Sequence, residues 1–249
     1  PTRCGNSSAT ATITITPMSR SNSLSTLLHL LQLSDSALPI GGFTFSNTLE
    51  SAIDSGTVGD ERSLEEYIGV AIEQTATLDG VVAREAMRAY HSADFGRIID
   101  LDHFLLAHKI NTEQRTMSLR MGRKMCDLAA TITSDSTTAR LGAEIAALNT
   151  PGTLAVVQGV VAASVGTTEQ ELFVSMIYGT ASMMLSAALR TMRTTHIQTQ
   201  RILYHIGERI DSLYDVAKHL SLDECYTFSP LLDLHSVQHE RSQKRLFMN

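Results

Sequence analysis

Nine histidines are the residues whose type first suggests chemistry, because neutral imidazole is a common metal ligand. His29, His91, His103, His108, His196, His205 and His219 are scattered over separate segments, whereas a metal site needs several ligands converging on one point. They are expected to be surface or hydrogen-bonded core side chains. His235 and His239 are different. They stand four apart beside Asp233 and Glu240, so one helical turn would put both imidazoles on one side, a candidate for a weak, transient Ni²⁺ contact. The competing reading is a polar interaction tail, since two imidazoles alone rarely make a tight site.

Nucleophilic chemistry finds less support. Ser46 and Cys126 have no base at a defined spacing, and Ser46 fits a helix cap or a loop hydrogen bond. The chain contains no GxxxxGK[ST] phosphate loop, HExxH, GxSxG or CxxC, so it should not hydrolyse nucleotides by itself. If the chain were a small all-α enzyme, its cleft would lie near Gly41-Gly42 and Glu50, but no convergent acid, base or metal set accompanies them.

Composition narrows the remaining classes. With 249 residues, 43% of them apolar, the chain can bury a substantial core. Lys and Arg are dispersed and the net charge is −6, which excludes a phosphate-backbone binder that needs clustered positive charge. Cys4, Cys126 and Cys225 are odd in number and far apart, as in a reduced cytoplasmic protein with free thiols.

The elements that must position these residues are helical. Leucines 27, 28, 30, 31 and 33 read as the buried face of a helix stopped by Ser34-Asp35-Ser36 and Pro39. Pro39-Ile40-Gly41-Gly42-Phe43 is a shaped elbow with Phe43 and Phe45 turned inward, and a second helix opens near residues 44–47. Ser63 to Glu66 has the form of a capping box, opening a helix that runs to about residue 77, or to about residue 90 with a break near Gly80. Asp94 and Asn111 or Thr112 open two more, and residues 141–148 a short one. Val- and Ala-rich residues 154–165 read as helix. The uncharged stretch 172–189 has the length of a membrane span, but its Ser, Thr and Tyr content favours a central bundle helix, with Ser175, Gly179, Ser182 and Ser186 allowing close approach of neighbours. A last helix covers about 197–220, and periodicity fades from Asp223 on.

The expected fold is all-α, a single-domain bundle of about ten helices. Residues 1–23 are expected to be a disordered extension without a secretory pattern, with Met18 as a candidate start and residues 11–16 strand-like but unpaired; 24–222 form the helical domain. Residues 223–249 form a tail that orders on a partner, because Leu231, Leu232 and Leu234, with Leu246-Phe247-Met248 beside Arg241, Lys244 and Arg245, bury too little alone.

One resemblance ties these pieces together. Leu38-Pro39-Ile40-Gly41-Gly42-Phe43 leading into Ser46-Asn47-Thr48-Leu49-Glu50 resembles the N-terminal signature of the UreF family of urease accessory proteins. Thr48 stands where the family has glycine, a departure read as mild on the view that it lies inside a helix. Glu113, Arg115, Ser118, Gly122 and Arg123 resemble the family's mid-chain pattern. Asp79 with Ala89-Tyr90, Leu101-Asp102 with Leu105, Tyr178 with Arg190, Ser229-Pro230-Leu231, His239-Glu240 and Arg245-Leu246-Phe247 follow in family order. The chain departs from the pattern at Thr153, residues 193–196, Gln238 and Ser242.

The resemblance implies a non-enzymatic cytoplasmic homodimer that contacts UreD (also called UreH), the GTPase UreG and the urease apoprotein. It implies no intrinsic cofactor, nickel being handled transiently by the complex, and neither nucleic acid nor membrane as partner. The partner-binding residues it implies are Pro39, Gly41, Gly42, Ser46, Glu50, Glu113, Arg115, Arg123, Tyr178, Arg190, Ser229, Pro230, His239, Glu240, Arg245, Leu246 and Phe247.

Overall fold

The computed structural model describes residues 23–242 and 245–248. The readings made for residues 1–22, including Cys4, the alternating Thr and Ile stretch and Met18, and those for Lys244 and Asn249, lie outside the described residues. Helices begin where local side chains can satisfy the first free N–H groups. Ser23 caps α1 (Leu24–Ser34), Asp94 caps α5 (Phe95–His108), Asn111 caps α6 (Thr112–Thr133) and Asp135 caps α7 (Ser136–Ala146). Thr168 with Glu171, and Thr195 with Gln198, form capping boxes at α9 (Glu169–Thr191) and α10 (His196–Ala217). The expected box at Ser63 is displaced: Asp60 is the cap of α3 (Glu61–Gln74), its carboxylate accepting from Ser63 N–H at 2.8 Å, while Glu66 pairs with Arg62.

The remaining elements are α2 (Leu49–Asp54), α4 (Gly80–His91), α8 (Leu154–Ser164) and α11 (Pro230–Arg241). No strand occurs among the described residues. A π-helical turn over Thr75–Asp79 carries α3 into α4 without a break, so among the described residues the eleven α-helical segments follow ten helical paths. The fold is an all-α bundle in one continuous arrangement.

Two apolar clusters fill it. In one, Val156, Val157 and Val160 of α8 are buried against α4, α5, α6 and α7; in the other, Leu49, Ile68, Ile72, Ile177, Met184 and Ile202 join α2, α3, α9 and α10. Helix α9 is long and apolar enough to cross a membrane, with a mean hydropathy of 1.6, yet half of that window is buried inside the protein. Its place is the centre of the bundle.

Four local expectations are corrected. Leu27, Leu28 and Leu31 of α1 point outward, and α1 buries no residue. The α9 residues Ser175, Gly179, Ser182 and Ser186 line a cavity of about 390 Å³ under α1 rather than a tight helix contact. Phe43 is exposed and only Phe45 is buried, because the chain makes a short 3-10 turn at Gly42–Thr44 before α2 starts. Thr48 is not inside a helix: it precedes α2 with φ +69°, the left-handed region that explains a glycine at this place.

The C-terminal segment is the largest difference. Residues 230–241 are α11, packed on the core through Leu232, His235, Ser236 and His239, and Phe247 beyond it is 4% exposed. Within the single chain the tail is thus packed on the core through α11 and Phe247. Its two histidines and Glu50 supply polar contacts that the apolar count of the segment alone does not include.

Candidate functional site

The sequence brings Glu50 to the first turn of α2, Glu113 to the first turn of α6 and His239 to the last turn of α11. All three are buried. The His239 imidazole lies between the carboxylates, with Nδ1 2.7 Å from Glu113 Oε1 and Nε2 3.0 Å from Glu50 Oε2. Burial opposes charge on this ring, but the hydrogen bonds and charges of Glu113 and Glu50 outweigh it and raise its pKa above the usual value. Glu50 also accepts the N–H of Leu246 at 2.7 Å and of Phe247 at 3.0 Å. Met248 N–H donates to Thr44 O at 2.8 Å, so residues 246–248 run as a strap across the elbow.

The Arg190 guanidinium is sandwiched between the rings of Phe43, at 3.8 Å, and Phe247, at 4.2 Å. Its Nε donates to Ser186 O at 3.1 Å. Arg245 Nη1 lies 3.6 Å from Glu113 Oε1, while its Nη2 donates to Glu240 O at 2.7 Å. Ser46 Oγ accepts the N–H of Glu50 at 3.4 Å.

Among the residues that the sequence singled out, Ser46, Glu50, Glu113, Arg190, His239, Glu240, Arg245, Leu246 and Phe247 thus share one corner. Others lie elsewhere. Arg123 Nε donates to Pro151 O at 3.1 Å, and Arg115 Nε to Lys109 O at 2.5 Å. Tyr178, partly exposed, is twelve residues before Arg190 on α9, about 18 Å along its axis. Ser229 and Pro230 start α11, Pro39 is exposed in the elbow, and Gly41 and Gly42 shape it.

His235 does not join His239 at a metal. Its Nδ1 meets Tyr67 Oη at 2.9 Å and its Nε2 meets Ser55 Oγ and Thr57 Oγ1, each at 3.2 Å; burial lowers its pKa and favours the neutral ring. His239 uses both nitrogens on different carboxylates, so the imidazole separates Glu50 from Glu113 instead of sharing an ion with them. Among the described residues no group of three or more His, Cys, Asp or Glu is placed to hold a metal.

The cavity beside Gly42 has a mixed lining, with Leu30, Leu33, Met117, Met121 and Met183 among its apolar residues and Gln74, Gln114 and Gln158 among its polar ones, and it includes the Asp79–Lys109 ion pair, closed at 2.6 Å. Glu50 does not line it. It is therefore not the cleft beside Glu50 that the enzyme reading named.

Sequence reasoning missed the Phe43–Arg190–Phe247 stack at the corner and, away from it, the Asp102 clamp. Buried Asp102 of α5 accepts from Thr150 Oγ1, Gly152 N, Thr153 N and Thr153 Oγ1 at 2.5–2.7 Å, fixing the loop between α7 and α8. Ser118 Oγ of α6 accepts from Leu154 N of the same loop at 3.1 Å. The Leu101-Asp102 and Ser118-Gly122-Arg123 matches were the only signals of this contact.

The UreF family profile matches residues 58–207. The chain belongs to the UreF family. Urease accessory protein UreF 2 of Brucella canis is 39% identical over 239 residues, covering 96% of this chain and 98% of its own. Urease accessory protein UreF 1 of Brucella melitensis is also 39% identical, covering 96% and 99%. Urease accessory protein UreF of Yersinia enterocolitica is 36% identical over 225 residues, 90% and 99% of the two chains. The chain is thus a member of a family in which these relatives are named urease accessory proteins.

Proposed function

We propose that this chain is a urease maturation chaperone: a cytoplasmic homodimer that binds UreD (UreH), recruits the GTPase UreG and helps deliver nickel to the urease apoprotein. The observation that carries the reading is similarity over nearly the whole chain to proteins named for urease accessory function. GTP hydrolysis then belongs to UreG, which this subunit positions and regulates. Nickel is cargo of the complex and the chain has no resident cofactor. The buried corner acts as scaffold, while its exposed rim, with Phe43, Leu246 and the outward α11 residues Leu231, Leu234 and Val237, supplies apolar contact area.

The test is co-expression with UreD and UreG, joined to complementation of a urease operon lacking its own UreF. Retention of both partners and recovery of urease activity are expected. A chain that retains neither partner and leaves urease inactive overturns the reading.

A further inference from the structure

We propose that Glu50, His239 and Glu113 form a proton-dependent clasp that fastens residues 245–248 to the core, and that losing one proton at this corner releases the strap. Satisfying both carboxylates requires an N–H on each ring nitrogen, which only the imidazolium has. The neutral ring carries one N–H, so one lone pair would face a buried carboxylate at hydrogen-bond distance. Such a contact is costly away from water.

The strap shares the acceptor. The Glu50 carboxylate that His239 neutralises also accepts the N–H groups of Leu246 and Phe247, so the charge of the ring and the seating of the strap act on one group. Lifting the end of α11 with the strap opens Glu50 and Glu113 to water, the least disruptive relief available. Glu113 Oε2 has no hydrogen-bond partner among the described residues, and the cation left near Glu113 when the ring is neutral is Arg245, 3.6 Å from Oε1 and next to the strap itself.

The charges facing the clasp come from every packed element. Glu50 is on α2 and Glu113 on α6; Arg245 of the strap approaches Glu113 at 3.6 Å. Arg190 of α9 stands across the Phe247 ring, and Arg120 of α6 meets Met248 Sδ at 3.2 Å. On α11 itself Glu240 has a buried Oε1, Arg241 lies in the last turn, and His235, one turn earlier, faces Tyr67 and is disfavoured as a cation. Among the described residues Glu50 and Glu113 are the groups that hydrogen-bond the ring, and theirs are the charges that favour its protonated form. The direction follows from its raised pKa: the clasp is complete below the unfolded-state value of about 6.5 and is lost as pH rises through the higher folded-state value.

The experiment uses the full chain alone, so its outcome is independent of the urease complementation above. Amide hydrogen exchange of Leu246, Phe247 and Met248 is followed from about pH 5.5 to about pH 9, corrected for intrinsic rates, beside an NMR titration of His239, spanning its reference value. Strap protection should fall about tenfold or more with the same midpoint as His239, above about 6.5. Constant protection, or a His239 midpoint at or below that value, overturns the proposal. Glu113→Gln keeps an acceptor but removes a charge, and should move both midpoints down together; a loss of stability with an unmoved strap midpoint also overturns it. His239→Gln should leave the strap weakly protected at every pH, and if that variant does not fold, the wild-type and Glu113→Gln titrations still decide.

Discussion

Gly122 of α6 lies against Gly152 so closely that a Cβ on Gly122 would sit 2.2 Å from the Gly152 carbonyl oxygen and 2.7 Å from Leu154 N. Backbone there cannot yield as a flexible side chain would, because the same loop is held by Asp102. Gly122→Ala should therefore cost about 1–3 kcal/mol, read as a lower midpoint in urea unfolding. Unchanged stability would show that the α7–α8 loop moves freely away from α6.

The Asp102 clamp makes a separate prediction. Asp102→Ala leaves the N–H groups of Gly152 and Thr153 and two hydroxyls without their acceptor in a buried place. The expected loss is about 3 kcal/mol or more, measured by chemical denaturation. Thr153→Ala, which removes one hydroxyl and keeps the backbone bond, should lose clearly less.

The elbow divides its strain unequally. Gly41 has φ +89° and Thr48 φ +69°, whereas Gly42 is outside the left-handed region and a Cβ there would meet Met121 Cε at an ordinary 3.4 Å. Gly41→Ala should cost about 1–2 kcal/mol. Gly42→Ala should stay within about 0.5 kcal/mol. At Thr48 the hydroxyl offsets the strain through contacts with Asn47 O at 2.6 Å and Tyr67 Oη at 2.8 Å. Thr48→Ala keeps the strain and loses the hydroxyl, so Thr48→Gly should be the more stable of the two by about 1 kcal/mol. Equal unfolding midpoints would remove the strain argument.

These residues show where the sequence was legible and where it was not. Asp94 and Asn111 announced α5 and α6 because a cap and the N–H groups it accepts are neighbours in sequence. Thr48 and α11 were misread because their causes are distant: the left-handed turn is held by Tyr67 of α3, and the buried face of α11 mixes Leu232 with His235, Ser236 and His239, which breaks apolar periodicity. The corner was visible only as separated matches at Glu50, Glu113, Arg190 and His239. Nothing in their spacing said that one imidazole would lie between two carboxylates. The leucines of α1 failed in the opposite way, since an apolar row identifies a helix face but not whether the chain itself covers it.

Thiol chemistry follows from burial. Cys126 is fully buried and its pKa is pushed up to about 12, first by desolvation and then by the charges of Asp127 and Asp102. A thiol reagent at about pH 8, near the ordinary thiol pKa, should modify Cys126 only as fast as the protein unfolds, whereas partly exposed Cys225 should react earlier. Rapid native-state labelling of Cys126, mapped by peptide mass, would contradict the packing of α6 against α7.

Removing the C-terminal segment gives the last prediction. Leu232 and Phe247 belong to the same buried cluster as Leu49, Ile68, Ile202 and Ile206, and His235 and His239 fill polar places beside Tyr67 and Glu50. Truncation after residue 228 would expose that cluster and leave Glu50 and Glu113 without the imidazole between them. The shortened chain should melt well below the full one and bind a hydrophobic dye. Leu232→Ala isolates the apolar share and should cost about 2–5 kcal/mol, because the side chain is 1% exposed and its removal leaves a cavity. His239→Gln should lose less at high pH than at low pH, since only below its raised pKa does the native ring carry the stabilising charge. A truncated chain with an unchanged melting temperature would mean that α11 rests on the bundle without supporting it, and the tail would then be free to serve a partner alone.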